Sequence, residues 1–242
     1  MDGRVLHFHL AGINNQNFIM RDEETGSWWQ QVTGQAILGP LKGRHLKAVS
    51  QDEISFAVWK GEHPRGRVLR RDPGVLAAQH YAPADWEVRT ARLPVATHMH
   101  DQRLDPRELV VGVTVDGVSK AYRMSDVQGQ NPIIDTVGTA PVMLAVAGDG
   151  QSVRAFRRVI DGQPVELFAR AGSAPLTFID GATGSDWDFT GHAIRGPLAG
   201  RQLTKVEILR DYWFDWRTYH PDTAVFSVGL RSPRAPSSPD AN

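Results

Sequence analysis

The 242-residue chain contains no cysteine. That excludes disulfides, thiolate nucleophiles and thiolate metal ligands, and it fixes no compartment, since a chain without thiols tolerates either redox environment. Net charge is also missing: 27 Lys and Arg balance 27 Asp and Glu. The balance leaves no electrostatic footprint for nucleic acid or an anionic membrane. No apolar run approaches the roughly 18 residues of a membrane helix, and Met1-Asp2-Gly3-Arg4 lacks the apolar core of a signal peptide. The chain carries no G-x-S-x-G elbow, P-loop, G-x-G-x-x-G or H-E-x-x-H motif. What it has is 23 Gly, 15 Pro and frequent β-branched runs. These favour short strands and tight turns.

The chain resembles itself. At a constant offset of 157, residues 34–69 match 191–226 with 14 identities in 36 positions, including Gly39-Pro40-Leu41, Trp59 and His63-Pro64. Upstream, Asp22, Thr25-Gly26-Ser27 and Trp29 match Asp180, Thr183-Gly184-Ser185 and Trp187. Such self-similarity reads as an internal duplication. The expected fold is mainly β with short helices (α+β), in two related β-rich units. Residues 1–69 form a truncated first unit, 70–106 a Pro-containing connection, and 107–228 a complete second unit. The Pro/Ser-rich tail 229–242 reads as disordered. Leu6, Phe8 and Leu10 alternate with His7 and His9 as in a half-buried strand. Ser50-Gln51-Asp52-Glu53 resembles a capping box opening a helix that Pro64 ends. Leu109–Val115, Pro141–Ala147 and Val153–Val159 read as strands. The units are expected to pack through their Trp-bearing elements, and the first leaves a sheet edge exposed, a route to a homodimer.

Several residues invite a chemical reading beside a structural one. Trp59, Trp216, Trp29 and Trp187 read as repeat anchors. His63 and His220 each precede a proline at a helix end, where a histidine caps the last carbonyls or serves as an acid, base or ligand. His7 with His9, and His98 with His100, could each start a metal site, but only if a third ligand converges. The Thr-Gly-Ser segments fit a turn or an anion cradle. Asp22, Asp52 and Asp180 read as turn or cap residues.

Val111-Gly112-Val113, Lys120-Ala121-Tyr122, Pro141-Val142, Thr183-Gly184-Ser185, Trp187, Gly191 to Gly200, Trp216 and His220-Pro221 stand in a specific order. In that order they resemble the bacterial domain-of-unknown-function family 3179. The resemblance covers residues 107–226 as one whole unit, and residues 1–69 resemble the back half of another. It implies a strand ending in a C-x-x-C pair suited to redox or metal chemistry. Here the two cysteine positions fall on Ala147 and Gly150, and a histidine common before that strand falls on Gln130. Neither Ala nor Gly can ionise, ligate or attack.

The second unit therefore reads as a structural pseudo-domain, and the chain as a non-catalytic structural or binding part of an envelope-associated protein with no cofactor of its own; export is common among such relatives. An alternative places a thiol or selenol site upstream of Met1, with His63 or Arg21 nearby; some relatives are described as selenoproteins. A second alternative is a histidine-based metal-binding protein. Substrate and partners are not legible.

Overall fold

The structure, a computed structural model, describes residues 3–14, 17–47, 49, 51–70, 74, 85–95 and 101–227. Expectations for His98, His100 and the tail from 229 lie outside these residues. The first half is an antiparallel meander of β1 (Phe8–Asn14), β2 (Asn17–Asp22), β3 (Trp28–Gln30) and β4 (Ala36–Leu38). Helix α1 (Phe56–Glu62) follows, and α2 (Trp86–Thr90) lies in the connecting stretch.

The second half opens with β5 (Leu109–Val115), β6 (Val118–Arg123), α3 (Met124–Gly129), β7 (Ile133–Val137), β8 (Ala140–Val146) and β9 (Val153–Arg157). A two-residue hairpin, β10 (Val159–Ile160) and β11 (Gln163–Pro164), leads to β12 (Leu167–Ala169), β13 (Thr177–Asp180), β14 (Asp186–Asp188) and β15 (Ala193–Arg195). The half ends with β16 (Thr204–Val206), β17 (Ile208–Tyr212), α4 (Trp213–Tyr219) and β18 (Ala224–Val225). The described residues are thus mainly β, in several small sheets with few helices.

Strand alternation builds the second half in layers. Two four-stranded sheets, in orders β16-β9-β8-β7 and β17-β5-β6-β18, share one apolar core. Val111, Val113 and Val115 of β5 face Val142, Leu144 and Val146 of β8 across it. The alternate residues of β8, Met143 and Ala145, turn the other way with Ala147 and pack with Phe178 and Trp187 of the β12-β13-β14-β15 sheet. On the far side of β5, Val110 meets Trp213 and Trp216 of α4. Because side chains alternate faces along a strand, a near-continuous apolar run is what a strand buried on both faces requires.

The two meanders, β1-β2-β3-β4 and β12-β13-β14-β15, have the same strand order, and each has a bulge beside its tryptophan. The helices differ in their setting. Trp216 is 2% exposed, with its ring against Gly112 of β5. A Cβ on Gly112 would lie 2.2 Å from that ring. Trp59 is only half-buried, over Gly66, and α1 contains no buried residue. Trp59 is therefore not the fully buried anchor the repeat suggested: Val58 is the α1 side chain that packs on the second-half core, while Trp59 lies half-exposed over Gly66.

Three other expectations shift. Strand β1 starts at Phe8, and Leu10 is exposed. The cap of α1 is Ser55, whose hydroxyl accepts the Val58 N–H, and not Ser50. Asp52 and Glu53 instead bind Arg154 and Arg210. Among the described residues, the hydrogen bonds and ion pairs joining the halves include those of segment 51–62 and of the β1–β2 hairpin. None of these bonds involves Trp29, Trp59, Trp187 or Trp216.

Candidate functional site

The turn after β8 holds the positions where the resemblance placed two thiols. Ala147 and Gly150 are its first and fourth residues, closed by the Gly150 N–H donating to the Ala147 carbonyl at 3.0 Å. Gly150 has φ +70°, a left-handed conformation that glycine adopts freely and a cysteine only under strain. The turn is held by Asp149. Its carboxylate accepts the N–H groups of Gln151 and Ser152 and, at 2.5 Å, the Ser152 hydroxyl. Burial pushes the Asp149 pKa up, but bonds from Ser152, Ser55 and Gln151 outweigh it and bring the group to about 2. The Ser152 hydroxyl in turn accepts the Ser55 N–H at 2.8 Å, so the cap of α1 docks on this turn. A cavity of about 690 Å³ remains over it, walled by α1, the turn, and loops near Leu176 and Phe189. Gln130, at the position of the expected histidine, ends α3 with its N–H on the Asp126 carbonyl.

Beside the turn lies Arg154 of β9, 4% exposed and absent from the sequence reading. Its guanidinium donates to Asp52 at 2.9 and 2.7 Å and to Glu62 at 2.6 and 2.8 Å. It also lies over the Phe189 ring. Burial alone would lower its pKa, but Glu62 and Asp52 raise it. Lys205 adds a 2.6 Å contact to Asp52. An arginine within a β-branched and aromatic strand, Val153-Arg154-Ala155-Phe156, was the available signal. Its partners are too far along the chain to be read from it.

A second group missed by the sequence reading is Asp211 and Asp215, at the junction of β17 and α4. Burial raises Asp211 to about 6. Burial and then the Asp211 charge raise Asp215 to about 8. Asn17 of the β1–β2 hairpin donates to Asp215 Oδ2, and Asp215 Oδ1 makes no hydrogen bond. Two acids four residues apart around an aromatic trio, Tyr212-Trp213-Phe214, were visible in the sequence. Nearby, His220 stacks on Trp216 at 3.5 Å between ring centres, and its backbone N–H caps the Trp216 carbonyl. Burial lowers its pKa. Both residues line a crevice of about 550 Å³ between the halves.

The remaining candidates stand apart. His63 caps α1 through the Trp59 carbonyl and is exposed. Arg21 donates to the Gly26 carbonyl in the β2–β3 turn. No described bond joins Arg21 to His63. His7 is held by Glu24 at 2.6 Å, which raises the His7 pKa. Among the described residues no group of three or more His, Asp or Glu is placed to hold a metal ion.

The Thr-Gly-Ser turns spend their own donors. Asp22 accepts the Thr25 N–H at 2.5 Å, the Thr25 hydroxyl at 2.9 Å and the Trp29 indole N–H at 2.7 Å. Asp180 accepts the same three from Thr183 and Trp187, at 2.6, 2.8 and 3.3 Å. The Gly26 and Gly184 N–H groups go to the Asp22 and Asp180 carbonyls. The Ser27 N–H goes to the Thr25 hydroxyl and the Ser185 N–H to Asp180. With these N–H groups taken, the turns do not form an anion cradle. Burial pushes both aspartates up and their hydrogen bonds bring both below the ordinary range.

No curated protein matches the chain, and no solved structure does. A family model described as "Protein of unknown function (DUF3179)" matches residues 1–223, spanning both meanders, α1 and α4. With that match over nearly its whole length, the chain belongs to the DUF3179 family.

Proposed function

We propose that this chain is a duplicated member of its family whose second copy works as a structural and binding unit without catalysing a reaction. The observation that carries this is the Ala147–Gly150 turn. Two side chains there have no nucleophilic or ligating atom, and Gly150 sits in a left-handed conformation unsuited to cysteine. The turn's polar atoms are spent on Asp149 and Ser152, and Ser152 receives the cap of α1. A position suited to thiol chemistry in relatives has become an intramolecular dock. The duplication itself is supported by the shared strand order, the paired bulges and the Asp–Thr–Trp bonding of both turns.

The test is a direct one on the full chain. Metal content after mild purification is measured by elemental analysis, and disulfide, peroxide and quinone reduction are assayed with a general electron donor. The expected result is well below one metal ion per chain and no rate above the buffer. Stoichiometric metal, or turnover that tracks the folded protein, would overturn the reading.

A further inference from the structure

The cavity over the Ala147–Gly150 turn has the size of a ligand site. Its volume, about 690 Å³, falls within the roughly 300–1,000 Å³ of small-molecule pockets. Its walls are largely apolar, with Val58 of α1 on one side and Val146 and Leu176 on the other. The charged side chains lining it are all acidic: Glu62, Asp149 and Asp188. Glu62 is neutralised by Arg154. Asp149 and Asp188 have no cationic partner among the described residues. Asp149 accepts only amide and hydroxyl hydrogens, and so does Asp188, from Thr190 and the His192 N–H. Two negative charges therefore line a largely apolar cavity that is open to solvent on one side, where Asp149 is exposed.

Charge complementarity selects the occupant. An organic anion would meet like charge without a compensating donor. A neutral alcohol would gain the apolar burial and could donate one hydrogen bond to a carboxylate, as the Ser152 and Thr190 hydroxyls do, but would leave the charge unbalanced. An organic cation gains both. We infer that this cavity binds a small organic ammonium ion with an apolar body, held between α1 and the β8–β9 turn. The inference rests on reading the second copy as a binding unit, and it names the ligand class.

The experiment uses the intact chain and three probes of one shape: phenethylammonium, phenylacetate and 2-phenylethanol. Binding is followed by calorimetry and by thermal shift at low salt. Phenethylammonium should bind at least about ten-fold more tightly than either analogue, a difference of about 1.4 kcal/mol. Its advantage should shrink as salt is added. Ala57→Trp fills the cavity from the exposed face of α1, and should abolish the ammonium-induced shift while leaving the unliganded Tm within a few degrees. Equal binding of all three probes would overturn the charge argument. No binding of the ammonium ion at millimolar concentration, or unaltered binding by Ala57→Trp, would overturn the site. Recovery of the amine chemically changed would instead overturn the non-catalytic reading and leave the site standing.

Discussion

At the scale of the residue, helices α1 and α4 show how the surroundings set the worth of one side chain. Trp216 lies against bare backbone at Gly112, where any Cβ would collide with its ring, and its indole N–H donates to the Thr223 hydroxyl at 3.0 Å. Trp59 has the same sequence context, ending in His-Pro, but leans on Gly66 and on Phe56, itself 63% exposed. Truncation removes buried area and leaves a cavity only where neighbours cannot collapse. Trp216→Ala should therefore destabilise the chain by about 3–5 kcal/mol. Trp59→Ala should cost about 1 kcal/mol, the central value for a point substitution. Urea titration of both variants checks this. Equal losses would mean that α1 is docked as firmly as α4.

At the scale of the element, segment 51–62 is one joint between the halves, and Arg154 is its centre. Asp52 and Glu62 reach Arg154 from the two ends of that segment. Removing one partner of a buried ionic group leaves uncompensated charge, at a cost of about 3–5 kcal/mol. Arg154→Ala should show that loss, with amide exchange and proteolysis rising first across 51–62. Uniform exchange along the chain would place the joint elsewhere. The same segment shows why only part of the fold could be read in advance. The Asp–Thr–Gly–Ser–Trp turns were legible because the bonds that Asp22 and Asp180 accept from their Thr and Trp partners span seven residues or fewer. So were β5 and β8, which are apolar runs, and β9, where Val153, Ala155 and Phe156 outweigh two arginines. The cap of α1 was misplaced because Ser50 to Glu53 satisfies the local pattern, while a partner 102 residues away takes Asp52. Strand β7 and helix α3 were missed because each is short. The turn at Ala147 was legible only as the place where the resemblance puts two thiols; its docking by Ser55 spans 97 residues and was not legible.

At the scale of the whole molecule, the hairpin of the first half closes on a proton-holding pair in the second. Asp211 and Asp215 have native pKa values of about 6 and about 8, against an ordinary 3.8. Burial is the main cause for both, and Glu53 adds repulsion at Asp211. Between pH 4 and 8 the folded chain thus holds protons that the unfolded chain has released. The stability tied to the protonated pair is fully present below pH 4 and is lost as pH rises through about 6 and then about 8. The group most exposed to that loss is Asp215: it is 2% exposed, Asn17 donates to one of its oxygens, and the other has no partner. On ionisation it would carry a charge that Asn17 alone cannot balance. Asp215→Asn is uncharged at every pH and close in shape to the protonated acid. The wild-type Tm should fall more steeply than that of Asp215→Asn between pH 5 and 8.5, with the two curves converging towards pH 4. Taking the difference between the chains cancels the histidines, His220 among them, which titrate in both. Parallel curves across the whole range would mean that Asp215 ionises as a solvent-exposed carboxylate does, and that its burial does not keep it protonated in the folded chain.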